Sequence, residues 1–250
     1  MTTGPRDRRE GCPAAAPAQP DTGRRPAPAR AAVWRQSLSV GIATGTYGLS
    51  FGALAVGTGL SVAQACALSL LMFTGGSQFA FVGVVGAGGG TPAAVATAGL
   101  VGARNGFYGL QTSRLVVPRS WPHRLLAAQA TIDESTATST AQAALHPERP
   151  ELARLGFWST AASVFALWNV ATLLGALLGD ALGDPRSLGM DAAAAAAFLA
   201  LLWPRLRSAT PLTVAVAAAV VALGCVPVLP AGAPVLVAAA VGVAAGWWTR

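Results

Sequence analysis

Lysine is absent from this 250-residue chain, and aspartate and glutamate together number only 10. All 17 basic residues are arginine, which reads as genomic compositional bias rather than chemistry. Charged residues make up 11% of the chain, where a soluble domain carries about 25%; that deficit excludes an ordinary soluble globular protein. The 3 cysteines are dispersed, Cys12 near the start and Cys66 and Cys225 in apolar stretches, so neither a disulfide framework nor a metal-ligand spacing can be read from them. No nucleotide-binding motif is present, which excludes direct ATP drive by this chain, and no cofactor is expected.

What is present is apolar sequence. Hydrophobic residues are 53% of the chain and mean hydropathy is +0.53. Long charge-free runs follow one another after position 36, separated by short polar breaks. About 20 apolar residues suffice to cross a bilayer core as a helix. The fold class expected is therefore all-α: a polytopic membrane protein of about seven or eight transmembrane helices, on segments at 38–58, 62–86, 91–113, 156–179, 190–206, 211–229 and 231–248. Pro92, Pro204, Pro211 and Pro230 fall near segment ends, where helices tolerate proline, and Ser61 and Asp191 sit where N-caps would be expected.

Residues 1–35 stand apart as an Arg/Pro/Ala-rich tail, and 36–250 form the membrane domain. The tail holds Arg6, Arg8, Arg9, Arg24, Arg25, Arg30 and Arg35 against Asp7, Glu10 and Asp21, more than half of the formal +7 of the chain. It has no apolar periodicity and cannot bury a core. It reads as disordered and cytoplasmic, its arginines holding the N-terminus inside. Without a folded basic surface or stacking aromatics, nucleic acid is not an expected partner. The first apolar stretch is too long and too far from the start for a signal peptide.

Segment 124–144 is ambiguous, helical in composition yet carrying Gln129, Asp133, Glu134, Ser135, Ser139 and Gln142. The acidic loop 180–191 reads as external and the Arg205/Arg207 break as cytoplasmic. An odd number of crossings must then precede residue 180, which favours a span or a paired re-entrant segment at 124–144. Against this, Arg114, Arg119 and Arg124 would then lie outside. Internally, Phe51–Leu54 resembles Leu174–Leu177, and Gly59–Phe73 aligns without a gap on Gly189–Trp203; as a duplication this would set a site between two halves.

Few residues can carry chemistry. At membrane depth Asp133 and Glu134 each cost on the order of 2.5–3.5 kcal/mol, which a cavity, a cation or a proton can offset; in an amphipathic surface helix both would be solvated instead. Arg104, with Asn105 and Tyr108 nearby, is the natural counter-charge, either in a structural pair or gripping a substrate carboxylate. In Thr74-Gly75-Gly76-Ser77-Gln78-Phe79, two glycines weaken the helix and let a backbone or ligand approach, while Ser77 and Gln78 could hydrogen-bond a solute. Discontinuous helices are a recurrent transporter device, although small residues also serve close helix packing. Packing is the reading for the four-residue spacings Gly41/Gly45, Gly48/Gly52, Gly175/Gly179 and Gly242/Gly246. Asn169, after Trp168, is a weaker candidate for a cavity wall. Gly48-Leu49-Ser50-Phe51-Gly52 spells a nucleophile pattern, but it lies in an apolar helix and His123 and His146 sit in breaks, so no hydrolase is expected.

In order and spacing, Gly41–Gly59, Leu70–Phe81, Arg104 to Leu110, Asp133-Glu134, Trp168-Asn169 to Gly175, and Gly189–Leu202 resemble the azaleucine-resistance (AzlC-like) permeases across about 40–248. Gly102 and Asn105 depart from that family's pattern, which has Asn and His there. The resemblance implies export of branched-chain amino acids from a bacterial inner membrane, often with a small AzlD-like membrane subunit, and no enzyme activity. Ser77, Gln78, Arg104, Tyr108, Asp133, Glu134 and Asn169 are then the candidate translocation residues. Gly52, Gly75, Gly76 and Gly175 are the candidate helix-break or packing positions. A non-transporting scaffold subunit, or a transporter or channel for another small polar solute, is the rival reading.

Overall fold

The computed structural model describes residues 29–116, 120–182, 206–229 and 233–248, with Met1, Leu199, Leu202 and Trp203. Most of the 1–35 tail, the loop beyond Leu182 and the body of segment 190–206 lie outside them. So does most of the second half of the internal alignment, and that resemblance receives no structural account. The described residues form α1 (Ala29–Gly57), α2 (Val62–Leu71), α3 (Gly75–Gly86), α4 (Thr91–Gly102), α5 (Arg104–Val116), α6 (Trp121–Gln129) and α7 (Asp133–Leu145). They continue with α8 (Pro150–Ala181), α9 (Ala209–Cys225) and α10 (Ala233–Trp248), and include no strand. α1 begins at Ala29, so its first turns occupy sequence expected to belong to the tail.

Two long helices form the spine. α1 has 29 residues and α8 has 32, both apolar; at about 1.5 Å per residue each exceeds the roughly 30 Å of a bilayer core. They pack in parallel, their contacts advancing together along both chains. Ser37 Oγ bonds Ser159 Oγ at 2.7 Å and Thr160 Oγ1 at 2.9 Å. A methyl group on Gly41 would lie 2.8 Å from Ser163 Cβ, and one on Gly45 would lie 3.0 Å from Leu167 Cβ. A methyl on Gly52 would overlap the Thr172 carbonyl, and one on Gly175 the Leu49 carbonyl. Small residues thus bring the two backbones together, and the outward leucines of α8, such as Leu174 and Leu178, remain exposed. Nothing lies within 4 Å of a methyl placed on Gly242 or Gly246, so that spacing makes no such contact among the described residues.

The segment 62–86, expected as one span, is two helices. α2 has 10 residues and α3 has 12, each reaching roughly half a bilayer at about 1.5 Å per residue. α2 leaves the upper end, where α1 finishes, starting from a Ser61/Gln64 capping box. α3 then returns to that same end: Phe79 packs edge-on to Phe51, with centroids 5.6 Å apart, and a methyl on Gly86 would lie 2.7 Å from Thr58 Cγ2. The pair is a re-entrant hairpin.

α4 descends from the upper end and stops level with the start of α3, where a methyl on Gly102 would lie 3.1 Å from Ser77 Oγ. α5 completes the descent, so segment 91–113 runs from one end of the molecule to the other as two helices interrupted at Ala103. At the lower end Arg154 Nε donates to the Leu115 carbonyl at 3.0 Å.

Segment 124–144 is a second hairpin, entering from the lower end. At its mouth His123 stacks on Trp158, centroids 5.2 Å apart. α6 rises until Gln129 Nε2 donates to the carbonyls of Leu70 and Leu71 at 3.1 and 3.3 Å. α7 turns back down, and Gln142 Nε2 reaches Gln36 Oε1 at 2.8 Å near the start of α1. The ends of α5 and α7 and the starts of α1, α6 and α8 therefore share one end. Arg114 and Arg124 lie there with Arg30, Arg35, Arg149 and Arg154, which removes the charge conflict that a full span at 124–144 would create.

A helix stopping in mid-molecule leaves its last four carbonyls without intrahelical partners. Two glutamines answer this at the tip of α2. Gln78 Nε2 donates to the Met72 carbonyl at 2.8 Å and the Ser69 carbonyl at 3.3 Å, and Gln129 takes the next pair from the facing hairpin.

Candidate functional site

A cavity of about 100 Å³ opens where both hairpin tips and the α4/α5 interruption meet. One water needs roughly 10–15 Å³ on this measure, so the space suits a small solute. Its polar rim consists of helix starts: Thr74, Gly75 and Gly76 at α3, Arg104 at α5, and Ile132, Asp133 and Glu134 at α7. Thr44 and Tyr47 of α1 and Trp168 of α8 complete the wall, with Phe73, Phe79 and Val164 as apolar lining. Helix N-termini present unpaired N–H groups and a partial positive charge, which favours Asp133 and Glu134 in the first turn of α7. The α3 start carries no side-chain cap, leaving backbone donors at the rim.

Arg104 Nη2 meets Asp133 Oδ2 at 2.9 Å, each side chain about a third exposed. The approach depends on a glycine, since a methyl on Gly76 would lie 2.8 Å from Arg104 Nη2. Glu134 stands next to this pair, with Thr44 hydroxyl beside its carboxylate. Asp133 Oδ1, Arg104 Nε and Trp168 Nε1 are buried with no hydrogen-bond partner. Trp168 is 4% exposed; it stacks on Phe51 and meets Phe79 edge-on, and Gly75 makes room for its ring, a methyl there lying 2.9 Å from Cη2.

Among the residues singled out in the sequence, Arg104, Asp133, Glu134, Gly75 and Gly76 therefore meet in one place. Ser77 and Gln78, next along α3, are fully buried behind the rim; the Gln78 amide is committed to the α2 carbonyls, and Ser77 faces Gly102. Tyr108 lies one turn beyond Arg104, its carbonyl accepting from Thr112 Oγ1 at 2.9 Å, away from the cavity lining. Asn169 donates to the Phe165 carbonyl one turn back at 2.8 Å, while its neighbour Trp168 supplies the wall. Gly52 and Gly175 lie in the α1–α8 seam. The Gly48–Gly52 nucleophile pattern is mid-helix in α1, with no strand-to-helix turn. Thr44, Tyr47 and Ile132 were not anticipated, because nothing in an apolar helix marks which residues face a cavity.

This is a helical membrane protein whose interrupted helices converge on a small charged cavity, an architecture suited to moving a solute. The AzlC family model ("AzlC protein") matches residues 39–182, covering both spine helices and both hairpins. The chain belongs to the AzlC family, and is a transport-related membrane protein. No curated protein and no solved structure matches it.

Proposed function

We propose that the chain is a permease exporting branched-chain amino acids, the large subunit of a two-component exporter completed by a small AzlD-like membrane subunit. The observation that carries this reading is the cavity itself: a cation, two carboxylates and uncapped backbone donors gathered at three helix starts and walled by apolar rings. The amine of the substrate lies against Glu134 and Asp133. Its carboxylate faces the α3 backbone amides with Arg104 nearby, and Val164, Ile132 and the aromatic rings accept an aliphatic side chain.

The same reading sets the topology. α1, α4–α5 and α8 cross fully, the two hairpins enter from opposite faces, and α9 and α10 add two crossings. The seven apolar segments with described helices are then five crossings and two hairpins. The arginine-rich lower end is cytoplasmic by the positive-inside rule, in a bacterial inner membrane.

The test is efflux from cells loaded with leucine, isoleucine and valine by dipeptide feeding. Cells carrying the chain, its Glu134→Gln form, and the chain with its small partner are compared. Saturable efflux that needs Glu134 supports the assignment. Unchanged efflux, with the chain and partner both present in the membrane, overturns it in favour of a scaffold subunit or another solute.

A further inference from the structure

We infer that the cavity selects its solute by a primary ammonium group and not by a carboxylate, so that small aliphatic amines and amino-acid amides are ligands as well. This rests on the proposed solute site and deepens it. The charged residues of the lining are Arg104, Asp133 and Glu134, a formal surplus of one negative charge. Arg104 is already tied to Asp133 Oδ2, which leaves Asp133 Oδ1 without a partner and Glu134 without a cation of its own among the lining residues. Four aromatic rings, Tyr47, Phe73, Phe79 and Trp168, stand around the same space, and ring faces attract cations. An ammonium entering here meets the Glu134 carboxylate, beside the Arg104–Asp133 pair and among aromatic rings.

The opposite pole is different in kind. It consists of the uncapped backbone donors of α3 at Gly75 and Gly76, which lie beside Arg104 Nη2. Such donors accept a carboxylate but serve an amide or ester carbonyl equally well. A solute with a carboxylate and no amine adds a second uncompensated negative charge to the side chains of the site. Like charges at an interface disfavour the wrong partner strongly.

The experiment measures binding calorimetrically to the purified chain in lipid nanodiscs with its small partner. The probes are 3-methylbutylamine, leucinamide, 4-methylpentanoate and leucine. The amine and leucinamide are expected to bind within about tenfold of each other, with 4-methylpentanoate at least roughly 100-fold weaker. Glu134→Gln is expected to weaken the amine by about 10–100-fold, the effect of losing one charge-assisted hydrogen bond. Glu134→Asp, keeping the charge, retains part of that affinity. The ranking of probes on the unaltered chain decides the matter even if a variant fails to fold. Carboxylate binding as tight as amine binding overturns the inference, as does amine binding indifferent to Glu134→Gln in natively eluting protein, or no binding by any probe. Amine binding without leucine binding or efflux overturns the amino-acid export reading and leaves this inference standing; leucine binding without amine binding does the reverse.

Discussion

Arg104 and Asp133 meet at 2.9 Å, each at the first residue of its helix, one on the interrupted α4–α5 crossing and the other on the tip of the lower hairpin. The ion pair thus fastens the tip of the lower hairpin to the helix interruption facing it. Its energy lies between the ~1 kcal/mol of exposed pairs and the ~3–5 kcal/mol lost when one partner of a buried pair is removed, since both side chains are about a third exposed. Arg104→Met and Asp133→Asn are each expected to abolish transport and to lower thermal stability. In a double-mutant cycle on detergent-solubilised protein, the combined variant should be less destabilised than the sum of the two. Additivity would show that the pair is not coupled.

Gly76→Ala places a methyl 2.8 Å from Arg104 Nη2, the far end of a flexible side chain. The guanidinium can move aside, so transport is expected to fall severalfold while stability changes by less than about 1 kcal/mol. Efflux and melting measured on the same preparations would separate the two effects. An unchanged efflux rate would show that the position of the guanidinium does not matter.

Gly52→Ala and Gly175→Ala have no such escape, because each methyl runs into the backbone of the facing helix. Overpacking of this kind costs about 1–3 kcal/mol. Gly99→Ala, where nothing lies within 4 Å, is expected to be neutral or to gain about 0.5–1 kcal/mol from helix propensity. Melting temperatures of the three variants should therefore split in sign, and a uniform response would argue against the parallel α1–α8 seam.

The hairpins make a topological prediction. Single cysteines at Ala87 and Ser120, in a background with Cys12, Cys66 and Cys225 replaced, are labelled in intact cells with an impermeant maleimide. With re-entrant hairpins, Ala87 lies at the face opposite the start of α1 and Ser120 at the same face. If every apolar segment crossed, both assignments would reverse.

Gln78→Leu strips the Ser69 and Met72 carbonyls of their donor. Leaving buried polar groups unsatisfied costs about 1–3 kcal/mol, so the variant is expected to melt lower and to expose a cysteine placed at Met72 to modification. Retention of full stability would mean that another donor replaces the amide.

The chain itself determined its class, because a run of apolar residues without charge has no stable place except in lipid, and that argument needs no neighbour. It also determined that Asp133, Glu134 and Arg104 had something to answer for, since a charge at depth is costly wherever it points. The interruption at Thr74–Gly76 was likewise legible from two adjacent glycines. Direction was not legible. A segment of 25 apolar residues at 62–86 has the length of a crossing, and only the contact of Gly86 with Thr58 turns it into a hairpin. The arginines around 114–124 conflicted with a span at 124–144 for the same reason, because 62–86 was counted as a crossing. Side-chain destination was also decided in three dimensions: Gln78 was as suitable for a solute as for a carbonyl until the end of α2 arrived beside it with unpaired oxygens. Trp168 and Asn169 exchanged importance because a helix turns about 100° per residue, and only packing against α1 and α3 sets which of the two faces the cavity.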